Sequence, residues 1–166
     1  MQRRAFLTLS ATAAALSLGG CGFALRKAPN FAFTKLYSKS DSTLGVELRR
    51  SLQSTRKVEV ITDARKINEA QVILDALSDQ REKVVLSTNA AGQVREFQLR
   101  IRFRFRLRTL AGKELISDAE ILQQRDISFN ESAVLAKEAE EALLYRDMQS
   151  DIVQQIMRRL AAVKAL

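Results

Sequence analysis

The chain has 166 residues, 46% of them apolar, which suffices for one folded core and is not the composition of a disordered chain. With no histidine and one cysteine, it lacks the commonest general base and metal ligand, and can form neither an intramolecular disulfide nor a thiolate cage. Lys plus Arg number 27 against 19 Asp plus Glu, and the net charge of +8 points to an anionic partner: nucleic acid, a membrane surface or an anionic glycolipid.

The chain opens with Arg3 and Arg4, followed by an apolar stretch from Ala5 to Leu18. That stretch is shorter than the roughly 20 residues a membrane-spanning helix needs, so residues 1–20 read as a secretory signal peptide. It ends Leu18-Gly19-Gly20-Cys21, which resembles the bacterial lipobox: small residues fit a peptidase cleft, and the Cys21 thiol is the atom that takes a diacylglyceryl group. The alternative is ordinary secretory cleavage that leaves a free cysteine. Lipidation is favoured because the sole cysteine falls where the lipobox needs it. Gly22 in place of an Asp favours outer-membrane sorting. Arg3-Arg4-Ala5-Phe6-Leu7 also resembles a twin-arginine motif, but general secretion is the favoured route. Removing residues 1–20 lowers the charge to +6, since two arginines leave and no acid does. Residues 21–30 form a lipidated tether, and 31–166 are expected to form a single domain.

Within that domain the alternation of Phe31 to Tyr37 predicts a first strand. Leu44, Leu48 and Leu52 predict an amphipathic helix over about 43–54, capped by Ser42 or Thr43. Val58 to Ile61 is a short strand and 62–69 a loop. Ala70 to Leu77 is a strand that resumes at Val84 to Ser87, with 78–83 either a break or an exposed stretch. Asn89 to Gly92 is a turn. Val94 to Arg108 and Glu114 to Phe129 are paired strands. A long helical region capped by Asn130 or Ser132 reaches about Val163, with room for a break near Ser150. Ala142, Tyr145, Gln149, Ile152, Ile156, Leu160 and Val163 make its 3.6-residue stripe. Strand, helix, strands, helix implies an α+β two-layer sandwich: a small, mostly antiparallel sheet packed with two helices.

The most unusual stretch is Gln98 to Arg108, in which Arg100, Arg102, Arg104, Arg106 and Arg108 alternate with Leu99, Ile101, Phe103, Phe105 and Leu107. A three-residue turn with Gly112 in the left-handed region pairs Thr109 with Lys113. Counting outward sets Arg108 opposite Glu114, Arg106 opposite Ile116, Arg104 opposite Asp118, Arg102 opposite Glu120 and Arg100 opposite Leu122. A one-residue shift would set acids against phenylalanines. Two readings follow. The stripe is a salt-bridged outer sheet face, or Arg100 and Arg106, unpaired within this hairpin, leave the face net positive and free to meet lipid head groups, a barrel wall or a sugar phosphate. A lipobox sends the chain outside the cytoplasm, so nucleic acid is set aside. Asp118 and Glu120 are engaged in ion pairs in this reading, so the chain is read as a non-enzyme with no cofactor and no metal site.

Four pieces in order resemble the LPS-assembly lipoprotein family, LptE or RlpB. They are Cys21-Gly22-Phe23-Ala24-Leu25-Arg26, Gly92 to Leu99 with Glu96 and Phe97, Leu135-Ala136-Lys137 with Glu140, and Met148, Asp151 and Gln155 to Leu160. The resemblance implies two helices on a small antiparallel sheet. It also implies an outer-membrane lipoprotein that plugs the LptD β-barrel, assists its assembly and binds lipopolysaccharide, without catalysis. It points to basic residues near the turn before the arginine strand and at the start of the last helical region, here Arg95 and Lys137. Asn89-Ala90-Ala91-Gly92 lacks the basic residue often found before that glycine. The alternative is a lipid-anchored periplasmic adaptor for other envelope machinery, without lipopolysaccharide contact.

Overall fold

The structure, a computed structural model, describes residues 29–166. The expected signal peptide, Cys21 and most of the expected tether lie outside the described residues. In chain order the elements are β1 (Lys35–Tyr37), α1 (Thr43–Ser54), β2 (Glu59–Ile61), a 3-10 helix (Ala64–Glu69), β3 (Val72–Thr88), β4 (Val94–Thr109), β5 (Glu114–Ser128), a 3-10 turn (Glu131–Ala133) and α2 (Val134–Ala162). The sheet order is β2-β1-β3-β4-β5. β1 runs parallel to both its neighbours, and β3, β4 and β5 form an antiparallel meander. Both helices pack on one sheet face, the expected α+β two-layer arrangement.

Leu99, Ile101, Phe103, Phe105 and Leu107 put every second side chain of β4 into the core, each at most 2% exposed. From α2, Met148, Ile152, Val153, Ile156 and Leu160 meet them, and Leu44, Leu48 and Leu52 of α1 close the cluster. Each such side chain contributes about 1.5–3 kcal/mol by leaving water. Ser42 caps α1 by accepting from the Gly45 amide at 3.1 Å.

The structure corrects several boundaries. The first strand is three residues long, because Phe33 turns into the core and packs at a tilt against Phe31 instead of extending the ladder. The expected loop at 62–69 is a 3-10 helix, capped by Asp63, and its Ile67 packs on a second small core of Tyr37, Ile61, Ala70 and Ile73. Of the two readings of 78–83 the exposed stretch holds, and β3 runs through it without a break. Pairing with β4 carries it through, and its charged side chains find partners on α2: Arg81 on Gln149 and Lys83 on Glu141. α2 is continuous past Ser150, and Asn130 caps the short turn before it rather than α2 itself.

The hairpin turn forms as read: Gly112 has φ 92° and the Thr109 amide donates to Lys113 O at 2.8 Å. Arg108 faces Glu114. Beyond it, two successive irregularities let β5 run ahead, so Leu107 faces Ile116, Arg104 faces Glu120, Arg102 faces Leu122 and Arg100 faces Gln124. The physical reason is in the core. The extra residues allow neighbours Leu115 and Ile116 both to pack against it, which a regular pleat forbids.

Candidate functional site

The arginine stripe lies on the sheet face opposite the helices. Arg108 Nε and Arg106 Nη2 both donate to Asp75 Oδ2 of β3, at 2.8 and 2.9 Å. Arg106 also stands 3.8 Å from Glu114. Arg104 is paired with Asp118, and Arg102 donates to Glu120 at 2.8 Å. The acids foreseen for Arg104 and Arg102 are therefore their partners, reached diagonally across the altered register. Arg106 is corrected: it is paired, from the β3 side, by an acid outside the hairpin. Arg100 alone among the five has no carboxylate within ion-pair distance among the described residues. Its Nε donates to Gln98 Oε1 at 2.7 Å, and Gln98 passes the contact on to Asp126 at 2.9 Å.

Glu82 sits opposite Arg100 in register, so acids on both flanking strands balance the stripe, and the expected net positive face is absent. Burial works to raise the Asp75 carboxyl, but hydrogen bonds from Arg108 and Arg106 outweigh it and hold Asp75 below the usual carboxylate range. The Asp118 hydrogen bond raises Arg104 further above its ordinary value. Exposed pairs of this kind add about 0–1 kcal/mol each, so the stripe contributes order more than stability.

Arg95 and Lys137 both lie away from the stripe, at the end of the sheet where β4 begins and α2 starts, with no contact between their side chains. Arg95 O accepts from the Phe129 amide at 2.7 Å. Lys137 Nζ donates to Ser128 Oγ at 2.9 Å and to Glu140 at 2.8 Å. Lys137, with Lys83, lines a cleft of about 250 Å³ whose apolar wall is Phe97, Ile127, Phe129 and Val134, and Arg95 is not part of that lining. The structure thus separates the predicted contacts into a balanced stripe and a corner of the far end.

A larger groove, about 1150 Å³, lies between α1, α2 and the helix-facing side of β3. Its floor holds a connected set. Arg81 lies 4.8 Å from the Tyr145 ring centre and donates to Gln149 Oε1 at 3.1 Å, while Gln149 Nε2 donates to Glu47 at 2.6 Å. Burial, then the charge of Glu141, raises the Tyr145 phenol, whose hydroxyl donates to Glu82 O at 2.7 Å. Sequence reasoning missed this set and the Asp75 hub. The signal for the first was Gln149, a polar residue inside an otherwise apolar helical stripe.

Residues 28–160 match the family LptE, described as lipopolysaccharide-assembly. Among solved structures, the chain is similar to uncharacterized lipoprotein B from Nitrosomonas europaea at 37% identity, with 85% of this chain and 91% of that one covered and a TM-score of 0.71. Rare lipoprotein B from Shewanella oneidensis (24% identity, 78% and 92% covered, TM-score 0.60) and a minor lipoprotein from Acinetobacter baumannii (20%, 80% and 94%, TM-score 0.62) share the fold. No curated protein sequence matches the chain.

Proposed function

The chain belongs to the LptE family of lipopolysaccharide-assembly proteins, and from that premise we propose that it is a non-catalytic outer-membrane lipoprotein, anchored through Cys21 on the periplasmic side. In this reading it plugs the LptD β-barrel, assists its assembly and holds lipopolysaccharide on the way to the outer leaflet.

The observation that carries this reading is the charge-balanced, helix-free sheet face. A barrel lumen is polar. A face whose arginines already have acids enters such a lumen without burying net charge, and each guanidinium can exchange its carboxylate for a group on the wall. Arg100, held by an amide instead of an acid, is the guanidinium most available to a lipid A or inner-core phosphate. A charge-assisted contact there adds about 1.5–3 kcal/mol. Arg102, Arg104 and Arg106 are the lumen-facing or secondary phosphate contacts, and Arg95 and Lys137 serve the far corner.

The test has two parts. Tagged protein is recovered from detergent-solubilised outer membrane and its partner weighed. A stoichiometric barrel is expected, and a periplasmic partner instead would promote the adaptor reading. Lipopolysaccharide binding is then titrated for Arg100→Ala at low and moderate salt. Weaker binding is expected, and wild-type binding at both salts removes the phosphate role. Arg106→Ala is the less clean variant, since it also strips Asp75 of a partner.

A further inference from the structure

The two ends of the molecule differ in sign. At one end are the start of β1, the turn after α1, the β4–β5 turn and the end of α2. This grouping follows from the pairing: Lys35 faces Glu59, the Gln71 amide donates to Lys35 O, and Val72 faces Thr109. Lys113 Nζ reaches Leu166 O at 3.2 Å, bringing the end of α2 to the same place. Here Arg56, Lys57, Lys113 and Lys164 are exposed and none has an Asp or Glu partner among the described residues, Lys113 being held by Leu166 O alone. Of the nearby acids, Glu59 pairs with Lys35 and Glu114 with Arg106, while Glu69 has no ion-pair partner among the described residues. The opposite end, about 55 Å away along the 17 residues of β3, carries Glu96, Asp126, Glu131 and Glu138 beyond the acids that pair with Lys83 and Lys137.

The chain leaves toward Cys21 from the basic end: Lys57 Nζ donates to Pro29 O at 3.4 Å and is also bonded to Asn30. Seven residues separate Cys21 from Pro29, a span of eight steps along the chain, so a lipid anchor at Cys21 holds this end within about 28 Å of the bilayer. Arg26 and Lys27 in that connection have the same sign.

We propose that this end is a docking surface for anionic phospholipid head groups, with Arg56, Lys57, Lys113 and Lys164 as its contacts. Its placement near the membrane rests on the tether reading above; its charge does not. Docked this way, the molecule stands on its basic end and directs its acidic end away from the leaflet.

The mature chain carrying Cys21→Ser, which has no acyl chains, is sedimented with vesicles of phosphatidylethanolamine and phosphatidylcholine, with and without a third of phosphatidylglycerol. Wild-type residues elsewhere should give binding only to the anionic vesicles, weakening as salt rises. Reversing Arg56 and Lys57 to Glu should weaken it at least about tenfold, and K113E/K164E, on two other elements, should do the same. R95E at the far end and R100E on the stripe should leave it unchanged. Equal binding to both vesicle types overturns the proposal, as does loss through R100E with R56E/K57E unaffected. Lipopolysaccharide binding, measured on the same variants, follows the opposite pattern if both readings hold, so either can fail without the other.

Discussion

β3 and β4 are neighbours in one sheet and nearly equal in length, yet their helix-facing residues differ. β4 places Leu99, Ile101, Phe103 and Phe105 there, all essentially inaccessible. Beside them β3 places Lys83, Arg81 and Asp79. The strands share their ladder but not their cover: α2 lies over β4 and β5, and the far part of β3 is an outer strand, since β1 pairs only with Val72 and Ile73. An outer strand with charges pointing inward resists addition of another strand. One face of one sheet therefore serves as core on β4 and as polar groove wall on β3.

The largest effects should separate these strands. Phe103→Ala or Phe105→Ala should cost about 3–5 kcal/mol in urea denaturation, while Val85→Ala, at 49% exposure on β3, should stay within about 0.5 kcal/mol. A comparable loss at both would mean that the far part of β3 is covered after all. Gly45→Ala sharpens the contrast inside α1. A Cβ there would stand 2.7 Å from Ser40 O, so despite Ala's higher helix propensity the change should cost about 1–3 kcal/mol.

Asp75→Asn should cost about 1–3 kcal/mol at neutral pH, because Arg106 and Arg108 lose a shared carboxylate, whereas Asp118→Asn on the exposed stripe should cost under about 1 kcal/mol. The pH dependence has a definite sign. Asp75 is depressed in the folded state, so its contribution is full above the ordinary carboxylate pKa of about 4 and disappears as pH falls through the lower folded value. Denaturation at pH 7 and pH 3 should show a shallower acid loss for Asp75→Asn than for wild type. A small effect of the opposite sign belongs to Arg56, whose φ is 55° at the end of α1. Arg56→Gly should raise stability by about 0.5–1 kcal/mol by thermal melt.

Periodicity made α1, β4 and the β4–β5 turn legible, because each carries its own local signal: leucines four apart, strict alternation, and a glycine at the left-handed position. The continuity of β3 was not legible, since its inward charges are met by the Tyr145 ring, Gln149 and Glu141, residues some 60 positions away. For the same reason Asp75 escaped notice as the partner of Arg106. A cross-strand acid on the far side of β4 cannot be found by counting from the near turn. Arg100 stood out in the sequence and keeps its distinction, but the surplus charge around it does not survive the addition of a third strand.

The register of β5 against β4 behaves like a reading frame with two cancelling shifts. One extra residue lies near Leu115 and a second lies between Ile116 and Ala119, after which every odd position of β4 again meets a residue on the helix side of the sheet. Deleting either extra residue alone would turn Ile121 and Ile127 outward and Glu120 inward, whereas deleting both would restore the alternation with a straighter hairpin. The hairpin thus has a parity that length changes must respect, and lengthening or shortening it in pairs is the route by which such a sheet face could be refitted to a wall of different curvature.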